Sequence, residues 1–176
     1  IHPIAPDKRA AILATLADIE RTHDVRVLLA CESGSRGWGF SSPDSDYDAR
    51  FIYVHRQPWY LSVNEATGPG DAQRDVIELP IDDELDVSGW VLRKALRLVS
   101  KSNPTLVEWL GSPLIYQHDA EAVACLWEAA ERFYSPLGTW WHYFNMARSN
   151  HRGYLRGETV RTKKYLYVLR PVLACL

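Results

Sequence analysis

The stretch GSRGWGFSSPDSDYD (residues 34–48) constrains the fold more than any other part of the chain. It follows VRVLLAC (25–31), a β-branched and leucine-rich run that reads as a buried strand. It leads into YDARFIYV (47–54), a second strand with Ala49, Phe51 and Tyr53 on the face opposite Asp48, Arg50 and Ile52. Gly34 lets the backbone turn sharply, or approach a ligand, with no Cβ in the way. If SRGWG opens as a first helical turn, its free N–H groups and the Ser35 hydroxyl face the strand end, an arrangement suited to phosphate. Asp46 and Asp48 lie two apart, so on a strand both carboxylates leave one face with Cα atoms about 6.6 Å apart. Strands disfavour aspartate and adjacent like charges repel, a local cost that a shared hard cation removes. The alternative is a surface turn after Pro43 in which Asp44 and Asp46 are simply solvated.

The remaining elements place this stretch in an α/β frame. KRAAILATLADIERTHD repeats Ile12, Leu16 and Ile19 at helical spacing. DVIELP and ELDVS flank Asp82 and Asp83 and read as two short strands in a hairpin or near-hairpin, while residues 62–74 read as a mobile polar Gly/Pro loop. GWVLRKALRLVSKS puts Val91, Leu92, Ala95, Leu98 and Val99 on one helical face, stopped by Asn103 and Pro104, and TLVEWL adds a short helical turn. From about residue 118 the pattern is helical throughout. A composition shift near 113–118 predicts an α/β domain over 1–115 and a helical domain over 116–176.

Composition narrows the function classes. The 176 residues carry 20 Lys and Arg against 22 Asp and Glu, a net charge of −2, so any nucleic-acid contact is local and not a general electrostatic coating. The three cysteines, Cys31, Cys125 and Cys175, show no CxxC spacing, which argues against a disulfide framework or a zinc site and for a reducing cytoplasm. No run of 18 apolar residues or signal-like start is present, so no membrane role is expected. The start on Ile and the end on RPVLACL lead us to expect that the chain is trimmed at one or both ends.

The glycine–serine pair with DSDYD resembles the signature of the DNA polymerase β-type nucleotidyltransferase superfamily. More narrowly, GSRGWGFSSPDSDYDARFIYV, LDVSGW, RKAL, SNPTLVEWL and KKYLYVLRP resemble the predicted nucleotidyltransferases encoded near RNA ligases, the RlaP-like proteins, over residues 28–173. Val91 departs from that pattern, which more often has an acid after GW. The resemblance implies an α+β nucleotidyltransferase core with a short mixed sheet, followed by a helical domain, with the nucleotide between them. It implies transfer of a nucleoside monophosphate from an NTP to an acceptor hydroxyl, with pyrophosphate released. Asp46 and Asp48 match the paired aspartates that hold two Mg²⁺ ions, with Mn²⁺ as a substitute, and a third acid is required. Asp86 is the first candidate, closing a predicted strand, and can take or relay the hydroxyl proton. Glu78 is the rival, in a region crowded by Asp75, Asp82, Asp83 and Glu84.

Gly34 and Ser35 would hold the β- and γ-phosphates with Arg36 as charge partner, and Arg50 neutralises carboxylates, touches phosphate or forms a structural salt bridge. Lys163 and Lys164, at a helix start that the dipole does not favour, would grip the triphosphate. His142, Tyr143, Arg148 and Arg152 are further candidates for the same cleft, and Trp38 for stacking on a base, against packing or solvation for each. Arg93 and Lys94 face either a nucleotide, an acceptor or solvent. The association with RNA ligases implies an RNA 3′ end as acceptor; a partner protein modified in an antitoxin-like manner, or a small molecule, fits the same chemistry. A non-catalytic nucleotide-binding module and an interaction scaffold whose acids are structural are the remaining alternatives.

Overall fold

A computed structural model of the chain describes residues 3–61, 75–79, 84–157 and 159–176. The polar loop expected over 62–74 and the turn at Asp82 and Asp83 lie outside the described residues. Within them, five strands form one mixed sheet in the order β3-β4-β2-β1-β5, with eight helices around it. The strands are β1 (Val25–Glu32), β2 (Tyr47–His55), β3 (Val76–Glu78), β4 (Leu85–Val91) and β5 (Ile115–His118). β1 runs antiparallel to both β2 and β5, β3 runs antiparallel to β4, and β2 and β4 are parallel. The mixed α+β architecture expected from the sequence is the one observed.

Each face of the sheet carries its own core. On one, α1 (Pro6–His23) buries Ile12, Leu16 and Ile19 against Val25, Val27, Ala49, Phe51, Tyr53, Val87 and Tyr116. Burial of each such side chain stabilises by about 1.5–3 kcal/mol. On the other, α4 (Leu92–Val99), α5 (Pro104–Leu110) and α6 (Ala120–Arg132) pack Ala95, Val99, Leu106, Trp109, Leu126 and Ala130 over Leu29, Cys31 and Ile52. The alternation in β2 is as expected: Ala49, Phe51 and Tyr53 face α1, and Ile52 faces the other way. In β1 a register shift between Val27 and Leu29 inserts an extra residue. Side-chain parity flips there, so Val25, Val27 and Ala30 share the α1 face although 27 and 30 differ in parity. Glu32, two beyond Ala30, is carried onto the same face.

Three elements differ from the sequence expectation. Gly89 and Trp90 belong to β4, which continues to Val91, so α4 begins only at Leu92. The pairing of Ile52 with Trp90 and Tyr53 with Val91 holds these residues extended, and a helical apolar spacing was no match for a ladder against a buried strand. β5, not anticipated, closes the sheet beyond β1 and spans the expected domain step at 115/116. α3 (Gln57–Leu61) is a short turn also absent from the sequence expectation. Beyond α6, α7 (Pro136–Tyr154) and α8 (Thr162–Leu173) pack against each other as a helical hairpin. Among the described residues no helix is long and apolar enough to cross a membrane.

Candidate active site

The sheet directions bring three chain segments to one edge. Because β1 is antiparallel to β2, the end of β1 meets the start of β2, with Glu32 opposite Ala49. Because β2 and β4 are parallel and in register, Asp48 stands directly beside Asp86. Asp86 is therefore the second residue of β4; it opens that strand, and the expectation that it closes one is corrected. Asp46 lies just before β2 and is exposed, whereas Asp48 is half-buried. Glu78, the rival acid, lies on β3 opposite Ser88 and is exposed, one strand further from Asp48.

Between Asp48 and Asp86 sits Arg50. Its Nη2 donates to Asp86 Oδ2 at 2.6 Å and to Asp48 Oδ1 at 3.2 Å, and its Nη1 donates to the Asp86 carbonyl at 3.0 Å. The two carboxylates already converge on one cation. Burial pushes the Asp48 carboxyl above its ordinary range, Arg50 pulls it back, and the charges of Asp86 and Asp46 push it up again. As the side chains stand, no group of three His, Cys, Asp or Glu among the described residues is close enough to hold a metal ion. The donor chemistry nevertheless fits a hard divalent cation: oxygen-only ligands, mutually repelling, with one held partly out of water.

The glycine loop is built against these acids. Gly34 opens the one-turn helix α2 (Gly34–Gly37) at φ +54°, a conformation that other residues enter at a cost. A Cβ there would overlap the Asp48 carboxylate, with its Cγ only 2.8 Å away. Gly34→Ala is accordingly expected to destabilise the protein by about 2 kcal/mol and to displace Asp48, seen as a lower melting temperature together with lost activity. Ser35 is buried beside Gly34, and the first helical bond, Gly37 N–H to Ser33 O at 2.9 Å, leaves the Gly34, Ser35 and Arg36 amides ahead of it. Arg36, expected at a phosphate, is buried; it donates to the carbonyls of Ser45 (2.7 Å) and Asp46 (3.2 Å) and stacks over Tyr47 at 4.0 Å. Its guanidinium thus fixes the loop that presents Asp46.

Of the two lysines expected to act as a pair, one reaches this edge. Lys163 Nζ donates to Ser45 Oγ at 2.7 Å; its charge partly offsets the rise that burial imposes on Asp48, and it adds to the lowering of Asp44, which comes first from the hydrogen bond with Ser42. Lys164 instead lies over the rings of Tyr154 (4.0 Å) and Tyr167 (5.2 Å). Tyr167 shares the acids' field: burial raises its phenol, and Asp48 and Asp46 raise it further. Trp38 packs edge-on to Tyr167 and carries the Arg170 guanidinium 3.8 Å above its ring. Arg170 in turn pairs with Glu108, which accepts from the Tyr143 hydroxyl at 2.7 Å. Trp38 and Tyr143 therefore tie the glycine loop to α5, α7 and α8. His142 is lowered by burial, and its Nε2 is buried without a hydrogen bond. Arg148 is exposed and lines an apolar cavity between α7 and α8 with Phe144, Val168 and Val172, and Arg152 is exposed near the end of α7.

Sequence reasoning missed Glu32. This carboxylate is fully buried, accepts the Asp48 N–H at 2.8 Å through Oε1, and accepts the Tyr116 hydroxyl through Oε2. Burial raises its pKa, opposed by the bonds from Tyr116 and Asp48. Its signal was an acid ending an apolar strand, but its direction depends on the bulge in β1.

The family model described as RlaP, RNA repair pathway DNA polymerase beta family, matches residues 9–176. The chain belongs to the RlaP family. A relative, "Uncharacterized protein YcgL" of Bacillus subtilis (strain 168), is 49% identical over 164 residues, covering 93% of this chain and 60% of that protein. The chain thus spans about 60% of the length of this relative. The RlaP family is described as a DNA polymerase beta family of an RNA repair pathway.

Proposed function

We propose that this protein is a metal-dependent nucleotidyltransferase that moves a nucleoside monophosphate from an NTP to the 3′-terminal hydroxyl of an RNA. The observation that carries the reading is the in-register pairing of Asp48 with Asp86 on parallel strands, with Gly34 seated against Asp48 and Asp46 two residues before it. Asp46, Asp48 and Asp86 would hold Mg²⁺ or Mn²⁺, which would supply charge stabilisation at the transferring phosphoryl group and acidify the attacking hydroxyl. Arg50 competes with that metal for the same carboxylate oxygens. The acceptor oxygen bonds to the α-phosphorus, the α–β bridging bond breaks, and pyrophosphate leaves. Asp86 receives the acceptor proton. The Gly34–Ser35 turn lies against the β- and γ-phosphates, and Lys163 adds the balancing charge.

Lys163→Ala is expected to weaken NTP binding about tenfold without unfolding the protein, since its partner Ser45 retains Ser42. Titration of NTP against both proteins by calorimetry measures this. The reading itself is tested by incubating the protein with Mg²⁺ and each α-³²P-NTP in turn, with RNA or total cell protein as acceptor. Label is expected on RNA ends. Label confined to a protein band would replace the RNA acceptor by a protein hydroxyl, and NTP binding without label anywhere would make the site a non-catalytic nucleotide module.

A further inference from the structure

Away from the acids, residues 87–107 contain four basic side chains and no acidic one, in a chain whose net charge is −2. Those four, Arg93, Lys94, Arg97 and Lys101, lie on α4 and the turn after it. Arg93 and Arg97 are four apart on one side of the helix, a like-charge spacing that costs helix stability. Among the described residues one carboxylate serves both: Asp75 Oδ1 lies 3.1 Å from Arg93 and Oδ2 lies 3.4 Å from Arg97. Both side chains stay open to solvent, at 46% and 63% exposure, so among the described residues positive charge is left in excess at this surface.

Beside them runs a groove of about 440 Å³ lined by Tyr60, Leu92, Arg93, Leu96, Arg97 and Ser100. The Arg93 guanidinium also lies 5.2 Å over the ring of Trp59, and Lys94 lies 5.3 Å over Trp90. Guanidinium groups beside an aromatic and aliphatic trough suit a single nucleic-acid strand, whose phosphates meet the cations while unstacked bases meet apolar and aromatic surface. β4 connects this groove to the acids: Asp86 is its second residue and α4 follows its last, which separates Asp86 from Arg93 by roughly 20 Å of strand.

We infer that the α4 groove holds the single-stranded RNA several nucleotides before the 3′ end presented at Asp46, Asp48 and Asp86. The inference rests on the RNA-acceptor reading above and adds where the strand lies. Phosphates bind Arg93, Arg97 and Lys101, and a base sits over Leu92, Leu96 and Tyr60.

Salt dependence of binding tests it. A fluorescently labelled single-stranded RNA of about twelve nucleotides is titrated with the parent and with an Arg93→Ala/Arg97→Ala/Lys101→Ala variant over a range of NaCl concentrations, read by anisotropy. Each lost phosphate contact reduces the magnitude of the negative slope of log K against log salt by about 0.7, so a slope shallower by about 2 is expected, with NTP binding unchanged. Arg97→Gln alone, expected to remove about 0.7, serves if the triple variant melts early. RNA binding with an unchanged slope in the folded variant would overturn the groove and leave RNA as acceptor. Absence of RNA binding by a parent that still binds NTP would overturn both the groove and the RNA acceptor.

Discussion

Asp48→Asn is expected to lower nucleotidyl transfer by about three orders of magnitude, equivalent to about 4 kcal/mol of transition-state stabilisation, while leaving a protein at least as stable as the parent. The two effects separate because Asp48 is poorly placed as a structural residue. Burial and the neighbouring Asp86 and Asp46 disfavour its ionised form, and only Arg50 and Lys163 offset them. Asn keeps the shape and one acceptor for Arg50 but removes the charge that a divalent cation requires. The backbone contacts that seat residue 48, Glu32 Oε1 to its N–H and its carbonyl to Ser33 N–H at 2.8 Å, do not involve the side chain. Thermal melting beside transfer rate decides the matter. A large fall in melting temperature would mean that Asp48 serves the fold, and the functional assignment would lose its main support.

The second large effect is at Glu32, where stability should be lost. Removing the side chain by Glu32→Ala strands the Tyr116 hydroxyl and the Asp48 N–H and opens a cavity where a fully buried group stood. Each unsatisfied buried group costs about 1–3 kcal/mol, so a loss of about 3–5 kcal/mol is expected with the cavity included. Glu32→Gln behaves differently. Its carbonyl still accepts from Asp48 and its amide can donate to the Tyr116 oxygen, without a charge to bury, so stability should stay within about 1 kcal/mol of the parent. Denaturant unfolding of the three proteins measures this contrast. Equal losses in both variants would show that the carboxylate charge itself is needed, and that Glu32 does more than accept two hydrogen bonds.

What could be read from the sequence follows from the range over which the determining forces act. The placement of Asp48 and Arg50 on one face of β2 is a matter of strand parity, local to YDARFIYV, and the structure keeps it. The Gly34 turn was legible for the same reason, since only a residue without a Cβ tolerates both its φ and the nearness of Asp48. Asp86 was legible as an acid near a strand but not as the neighbour of Asp48, because register between parallel strands is set by distant packing. Glu32 was hidden by the bulge at Leu28, which no local pattern announces, and by its partner Tyr116, 84 residues away. β5 is only four residues, IYQH, too short for alternation to stand out from the turn before α6. Lys163 and Lys164 look equivalent in sequence. The α7–α8 packing separates them, sending one to Ser45 and the other over Tyr154 and Tyr167.

The most direct test of nucleotidyl transfer is which phosphate bond breaks. The protein is incubated with Mg²⁺, RNA and an NTP labelled at the γ-phosphate, and the labelled product is separated as pyrophosphate or orthophosphate. The account predicts labelled pyrophosphate, appearing only with Mg²⁺ and not with Asp48→Asn. Labelled orthophosphate would contradict it, because cleavage between the β- and γ-phosphates is hydrolysis or phosphoryl transfer, and the carboxylates at the edge of β2 and β4 would then serve a different reaction.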